Sequence, residues 1–186
     1  MKQIILIRHA KVDIDNTIKI DAEALKKWVE SYDIAPIVAD SLPPEQTIIL
    51  AKEADIVVSS TLRRAIDSAH VLGVKIEEQN ALFNEAGIPE VNIPWLKLKA
   101  KTWLIVLRLM LLFGLGKKDV SLKASKKQAS LAAERLVILS QEYENIVLVG
   151  HGGMNWLIAK ALAKEGWVSN GKAVHSNWGV SILQKN

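Results

Sequence analysis

The chain of 186 residues contains no cysteine. It therefore has no disulfide framework, no thiolate metal site and no cysteine nucleophile. The chain also has only a small excess of positive charge, because 24 Lys and Arg against 20 Asp and Glu leave a net charge of +4. That charge fits an anionic substrate. It gives no argument for nucleic acid as a partner, and no nucleic-acid-binding motif, internal repeat or low-complexity tract is present.

We expect no targeting segment at the N-terminus, because an apolar strand pattern begins by residue 4 and leaves no room for a signal peptide. At 186 residues with 49% hydrophobic residues, the chain is long enough for one well-packed core. We expect a cytoplasmic protein with a single domain over residues 1–186.

Strand and helix patterns alternate along the chain, which predicts a largely parallel sheet covered by helices on both faces. The expected fold is a three-layer α/β/α sandwich. Strands are predicted at 2–8, 56–59, 74–77 and 145–149, with one or two more within 173–184. Helices are predicted at 21–32, 43–53, from Ser60 or Thr61 to Leu72, at 119–143 and at 152–164.

Two histidines each close an apolar strand pattern. His9 follows the run 4–7, and His151 follows the run 146–149. In open α/β sheets, ligands bind beyond the carboxyl ends of the strands. If the two strands are neighbours, the two histidines face each other across one pocket.

Other polar groups follow predicted strands in the same way, namely Arg8, Arg64 and Glu85. Arginine binds phosphate oxygens bidentately, a neutral imidazole can attack phosphorus near neutral pH, and a carboxylic acid can protonate a leaving oxygen. Backbone N–H groups at a glycine-rich helix start, such as Gly152, add anion binding. The set is typical of phosphoryl transfer through a covalent enzyme intermediate.

Four motifs in order resemble those of the histidine phosphatase superfamily, also called phosphoglycerate mutase-like. They are Arg8-His9-Ala10, the Ser59–Ala69 segment with Leu62 and Arg64, the Leu82–Gly87 segment with Glu85, and Gly150-His151-Gly152-Gly153. The resemblance covers most of the chain. It implies the phosphoglycerate mutase-like fold with a helical lid or insertion at about 85–118.

The resemblance also implies a role for each residue. His9 is expected to be the nucleophile that carries a phosphohistidine. Arg8, Arg64 and His151 are expected to bind the phosphoryl group, and Glu85 to act as proton donor and then as base. Asn16 and Gly152 complete the predicted substrate-binding set. No metal or organic cofactor is implied. Arg63, which is adjacent to Arg64, is expected to face solvent because neighbouring helix residues point about 100° apart.

The chain departs from the family pattern at three points. Ala10 replaces a glycine, Gly150 replaces a serine, and Lys11 and Val12 stand where mutases have Glu and Ser. The last departure favours a phosphomonoesterase of the histidine acid phosphatase type, acting on a phosphorylated small molecule, over a mutase. Two alternatives stay open: a protein phosphohistidine phosphatase, and a non-hydrolytic phosphate-binding or membrane-docking protein.

The segment 95–118 is rich in apolar residues and contains six cations without an acidic residue. Its apolar run is shorter than the ~20 residues that span a bilayer. One interpretation is a lid helix buried on the core or in a homodimer interface. The other is a contact with an amphipathic substrate or, as a peripheral protein, with an anionic membrane.

Overall fold

A computed structural model describes residues 1–93, 95–115 and 120–186. The strands are β1 (Lys2–Arg8), β2 (Lys19–Ile20), β3 (Ile56–Ser59), β4 (Glu78–Gln79), β5 (Leu98–Lys99), β6 (Asn145–Gly150), β7 (Val168–Ser169) and β8 (Val180–Lys185). The helices are α1 (Ala22–Ile34), α2 (Glu45–Lys52), α3 (Arg63–Val71), α4 (Ala100–Leu112), α5 (Leu122–Leu139) and α6 (Gly152–Lys164), with a short 3₁₀ helix at Ala81–Phe83.

The main sheet has the strand order β4-β3-β6-β1-β8-β7. The first four strands are parallel to one another. Strand β8 pairs antiparallel with β1, and β7 pairs antiparallel with β8, so β7 runs in the direction of the first four strands. The predicted α/β fold with a mostly parallel sheet is therefore confirmed.

Both faces of this sheet are buried, and β1 shows why its sequence is continuously apolar. Ile4 and Leu6 pack into a cluster with α5 and α6, whereas Ile5 and Ile7 pack into a second cluster with α2 and α3. Successive side chains of a strand point to opposite faces, so a strand between two helical layers needs apolar residues at every position.

The predicted insertion at 85–118 contains a helix, α4, which follows directly on β5. It packs against α1 through a third cluster that includes Trp28, Trp103 and Leu107, and β5 pairs with β2. Residues 94 and 116–118 of the predicted insertion lie outside the described residues.

Two predicted boundaries near the site are wrong. The strand after α3 is Glu78–Gln79 rather than 74–77, because it is these residues that pair with Val58 and Ser59. Helix α3 begins after Leu62, and neither Ser60 nor Thr61 caps it. The Ser60 hydroxyl bonds to His151, and the Thr61 hydroxyl donates to Asn84 Oδ1, so both are engaged elsewhere.

Two further boundaries differ. Helix α5 ends at Leu139, four residues before the predicted end, and strand β7 at Val168–Ser169 precedes the predicted range 173–184. No described helix has the length and apolar character needed to cross a membrane.

Candidate active site

The two histidines lie beside each other at the carboxyl edge of the sheet. Strands β1 and β6 are parallel neighbours, and Arg8 at the end of β1 pairs with Gly150 at the end of β6. The next residue on each strand is a histidine, so the ring centroids of His9 and His151 are 5.2 Å apart. His9 lines the pocket at this edge, whereas His151 is fully buried behind the lining, so the two histidines do not face each other across the pocket as expected.

His9 is held in one tautomer by its backbone neighbour. Its Nδ1 lies 2.6 Å from the carbonyl oxygen of Ala10. A carbonyl oxygen only accepts, so Nδ1 carries the proton and Nε2 has the free lone pair. Burial, and next the positive charge of Arg64, lower the pKa of His9 to about 3. The imidazole is therefore neutral at physiological pH, as a nucleophile must be.

His151 is buried and has a protein partner at each ring nitrogen. Arg64 Nε donates to Nδ1 at 3.3 Å, and Nε2 lies 2.7 Å from the hydroxyl of Ser60. Because arginine only donates, Nδ1 accepts and Nε2 carries the proton. Burial is the largest cause that lowers the pKa of His151 well below its ordinary value, followed by the charge of Arg64. As placed, His151 orients Arg64, and its Nδ1, which carries no proton, has none to donate to a phosphate oxygen.

Arg64 is 3% exposed and is fixed from three sides. Besides its bond to His151, its Nη1 pairs with Asp33 Oδ1 at 2.7 Å, and its guanidinium carbon lies 4.7 Å from the ring centre of Tyr32. The adjacent Arg63 points away and pairs with Asp67 on the helix surface. The expectation that Arg64 faces the pocket and Arg63 faces solvent agrees with these positions.

Arg8 reaches the same space from the end of β1. One terminal nitrogen donates to the carbonyl oxygen of His175, while its buried Nε has no hydrogen-bond partner among the described residues. Burial lowers the pKa of Arg8. A Cβ on Gly152 would lie 3.2 Å from Arg8 Cδ, so the glycine leaves room for this side chain at the start of α6. An N–H group that is buried without an acceptor is a group that an anion would satisfy.

Glu85 lies over the first turn of α6. Its Oε1 accepts from the backbone N–H of Met154 at 3.0 Å, and its Oε2 pairs with Arg108 of α4 at 3.2 Å. A Cβ on Gly153 would come within 2.8 Å of Oε1, so a glycine is needed for the carboxylate to approach this closely. The second glycine of the motif thus serves Glu85, as the first serves Arg8.

Two of the three departures from the family pattern, at Gly150 and Ala10, have local explanations. The space next to Gly150 is filled by Asn155, whose Oδ1 would lie 2.6 Å from a Cβ at position 150. The Cβ of Ala10 is accommodated in the buried cluster with α2 and α3, and its N–H donates to Ser68 Oγ at 2.9 Å. Both departures are therefore part of the packing around the site.

A cavity of about 410 Å³ opens over these groups. It is lined by Arg8, His9, Lys11, Val12, Ile14, Asn16, Trp28, Tyr32, Arg64, Glu85, Lys101, Leu104, Ile105, Arg108, Ser176 and Asn177. Five of these residues are Lys or Arg and one is an acid. Asn16 lines the wall, as does α4 through four residues. His151 and Gly152 lie behind this lining, in contact with Arg64 and Arg8.

A larger cavity, of about 610 Å³, lies between α1 and residues 88–92 and includes none of the predicted site residues. Among the described residues, no group of three or more His, Asp or Glu side chains could hold a metal ion.

Sequence reasoning missed several residues that shape the site. Asp33 and Tyr32 come from the end of α1, and Ser60 holds His151. Nothing local in the sequence shows that α1 packs beside α3. Arg108 did carry a signal, because it is the one charged residue that interrupts the apolar run of α4.

No family model and no curated protein matches the chain at the level of sequence. Solved structures do match it. The product of the open reading frame Rv3214 from Mycobacterium tuberculosis superposes with a TM-score of 0.63 at 14% identity, over 100% of this chain and 92% of that one. These structural neighbours are members of the histidine phosphatase superfamily. The chain has their fold.

Two further neighbours carry an activity in their names. Phosphoserine phosphatase from Entamoeba histolytica, in complex with 3-phosphoglyceric acid, has a TM-score of 0.60 at 17% identity, over 98% of this chain and 90% of that one. A mycobacterial glucosyl-3-phosphoglycerate phosphatase in complex with VO3 has a TM-score of 0.58 at 17% identity, over 88% and 83%. The phosphoglycerate mutase-like fold implied by the four motifs is thus confirmed.

Proposed function

We propose that the protein is a phosphatase of the histidine acid phosphatase type, which hydrolyses a phosphomonoester through a phosphohistidine on Nε2 of His9. The observation that carries the proposal is the state of His9. Its Nδ1 proton is committed to Ala10, and among the described residues no group bonds to its Nε2. A buried, neutral imidazole with a free lone pair lines a cavity rich in cations, and that combination suits attack on a phosphate.

The cations supply binding and transition-state stabilisation. Arg8 has a buried N–H without an acceptor, and Arg64 presents a rigid guanidinium beside His9. Bidentate arginine contacts hold phosphate oxygens and stabilise the charge that develops on them during transfer. We place both arginines on the transferred phosphoryl group, with His151 keeping Arg64 in position.

The reaction then proceeds in two displacements. The Nε2 lone pair of His9 attacks phosphorus, the bond from phosphorus to the ester oxygen breaks, and the leaving oxygen takes a proton from Glu85. In the second step a water attacks the phosphohistidine and gives its proton to Glu85. The N–P bond breaks, and inorganic phosphate leaves with His9 neutral again. General acid–base catalysis of this kind contributes ~10²–10⁴-fold.

The size of the cavity favours a small molecule over a protein as the phosphate carrier. At about 410 Å³ it falls within the ~300–1,000 Å³ that is usual for small-ligand sites. Helix α4 forms part of the cavity wall through Lys101, Leu104, Ile105 and Arg108. These features support a phosphorylated small molecule as the substrate rather than a phosphohistidine on a protein surface.

The experiment that tests the proposal is trapping of the phosphoenzyme. The wild-type protein is mixed with an aryl phosphate labelled on phosphorus and quenched in alkali, in which phosphohistidine survives. We expect label on the wild type, none on His9→Ala, and wild-type labelling of His70→Ala, a matched histidine variant at the exposed end of α3. Hydrolysis by His9→Ala at the wild-type rate would exclude His9 as the nucleophile.

A further inference from the structure

An apolar stripe runs along the solvent-facing side of α4 and just beyond its end. It consists of Ile105, Leu109 and Phe113, which are 50%, 47% and 79% exposed. Residues spaced by four lie one above another on a helix. The opposite side of the same helix is buried through Trp103 and Leu107, so the stripe is not part of the core. Exposed apolar surface of this kind marks a contact with a partner or a membrane.

The charged residues within the segment that carries the stripe are all positive, and Arg108 is the one that pairs with an acid outside it, Glu85. Residues 91–118 contain six Lys and Arg and no Asp or Glu. Lys97, Lys99 and Lys101 are exposed at the start of α4, and none of the three has an ion-pair partner in the described part of the chain. An exposed apolar stripe beside uncompensated lysines is complementary to a surface that is apolar inside and anionic outside.

The small sheet before α4 strengthens this charge argument. Lys99 of β5 lies directly opposite Lys19 of β2. Two like charges at opposed positions of an antiparallel pair destabilise it. The first turn of α4 adds the positive end of the helix dipole and contains no acidic residue that would offset it. An anionic partner would offset both the like charges of Lys19 and Lys99 and the positive end of the helix.

We propose that α4 docks the protein on the surface of an anionic phospholipid bilayer. The stripe Ile105, Leu109 and Phe113 enters the boundary between headgroups and acyl chains, and the lysines at the start of the helix contact the headgroups. With thirteen residues, α4 is shorter than the ~20 needed to cross a bilayer, so it lies in the plane of the interface.

A second copy of this chain fits the same surface less well. A two-fold dimer brings the same patch of both subunits together. Here that would bring the exposed Lys97, Lys99 and Lys101 of both subunits close together, without an acidic residue from the same segment to pair with them. The absence of acidic residues over 91–118 therefore favours lipid as the occupant.

Docking through this face would bring the cavity to the membrane. Ile105 belongs to the stripe and also lines the cavity with Lys101 and Arg108. The docking itself does not rest on the proposed hydrolysis, because the stripe and the lysines include none of the residues assigned to the reaction. The two proposals can therefore fail separately.

The test is flotation of the purified full-length protein with vesicles. One set contains phosphatidylcholine alone, and the other contains about 30% phosphatidylglycerol as the anionic lipid. We expect binding to the anionic vesicles only, weakened by salt because charged contacts are screened. The stripe variant Leu109→Glu/Phe113→Glu should bind at least about tenfold more weakly.

The matched control is Leu131→Glu/Ile138→Glu on α5, where two exposed apolar residues are replaced by the same charges. We expect it to bind vesicles like the wild type. Lys97→Gln/Lys99→Gln tests the charges without adding acid and should also weaken binding. Circular dichroism confirms that each variant is folded, and hydrolysis of a soluble aryl phosphate should be unchanged in all three.

Three results would overturn the docking. The first is that the wild type does not bind anionic vesicles. The second is that the α5 control loses as much binding as the stripe variant. The third is that the wild type binds no vesicles and forms a dimer in light scattering, which becomes a monomer in the stripe variant. If vesicles are bound but the soluble phosphate is not hydrolysed, the docking stands and the proposed phosphatase activity fails.

Discussion

In the pocket at the sheet edge, Arg64 is almost wholly buried and bonds to His151 and Asp33. By contrast, Leu109 on α4 and Phe113 just beyond its end are exposed to solvent. The first region buries the charge of Arg64 and pairs it, and leaves the buried Nε of Arg8 without a partner among the described residues. The second exposes apolar surface and leaves lysines unpaired. Burying a charge without a partner is costly, so the pocket specifies its own geometry. The outer face of α4 is exposed to solvent, so no neighbouring group within the protein determines which residues it carries.

The difference separates chemistry from recognition. The pocket has few ways to change, because each buried group holds another in place. Helix α4 is fixed only on its inner side, so its outer side is free to carry residues suited to whatever the protein meets. Function in this fold lies in such grafted features rather than in the fold itself.

The largest effect on stability is expected on the inner side of α4. Trp103→Ala removes a side chain that is 1% exposed and whose indole donates to the carbonyl oxygen of Ile20. We expect the free energy of unfolding to fall by about 3–5 kcal/mol. Trp95→Ala, at an exposed position just before β5, should change it by no more than about 0.5 kcal/mol. Denaturant titration measures both, and equal effects would contradict the division of the insertion into a packed side and a free side.

After substitution of His9, the largest loss of activity is expected on substitution of Arg64, and its neighbour Arg63 serves as the control. Arg64→Gln should lower kcat/KM by about 10²–10³-fold, the usual cost of one group that stabilises developing charge. Arg63→Gln, one residue away but turned to the surface, should stay within about twofold of the wild type. Steady-state kinetics on one aryl phosphate decides the matter. A comparable loss in both variants would mean that Arg63 also reaches the phosphate.

A smaller and substrate-dependent effect is expected at Glu85. An alkoxide leaving group needs a proton as it departs, whereas an aryl oxide, which is a weaker base, needs that proton less. Glu85→Gln should therefore slow an alkyl phosphate by about 10²-fold and an aryl phosphate by less than tenfold. Equal losses on the two substrates would assign the carboxylate to positioning, through Arg108 and the start of α6, instead of to proton transfer.

The smallest effect concerns pH and the buried histidines. His9 has its pKa lowered to about 3, and that of His151 is also lowered, so below pH 6.5 the unfolded chain binds protons that the folded chain does not. Stability should therefore fall as pH falls from 6.5 to 5 and rise again as pH rises. In His9→Gln the slope should be shallower, by up to ~1.4 kcal/mol per pH unit. Unfolding curves at several pH values give the slopes, and identical slopes would show that His9 does not contribute.

Much of the site could be predicted because its residues are tied to strand ends. A strand between two helical layers must be apolar at every position, so β1 and β6 are visible as runs, and the polar residue after each run marks the edge where ligands bind. Arg8, His9, Arg64, Glu85 and His151 meet there, as expected from their spacing. Their catalytic roles stay predictions until the variants are measured.

The other contributions could not be predicted from local pattern. Asp33 and Tyr32 reach Arg64 only because α1 packs beside α3, and Ser60 turns to His151 instead of capping its helix. The contact between Arg108 and Glu85 depends on where the insertion folds back over the sheet edge. Such contacts join residues far apart in the chain, and periodicity and capping rules describe only near neighbours.

By itself the sequence determined the α/β architecture, the edge of the sheet that carries the site, and the residue types at that edge, because hydrophobic periodicity and strand ends are local properties. Only the tertiary structure decided the tautomer of His9, the partners of Arg64 and His151, and which side of α4 is buried. These depend on the packing of separate elements against one another, where burial and hydrogen bonding select one arrangement among those that the same residues allow.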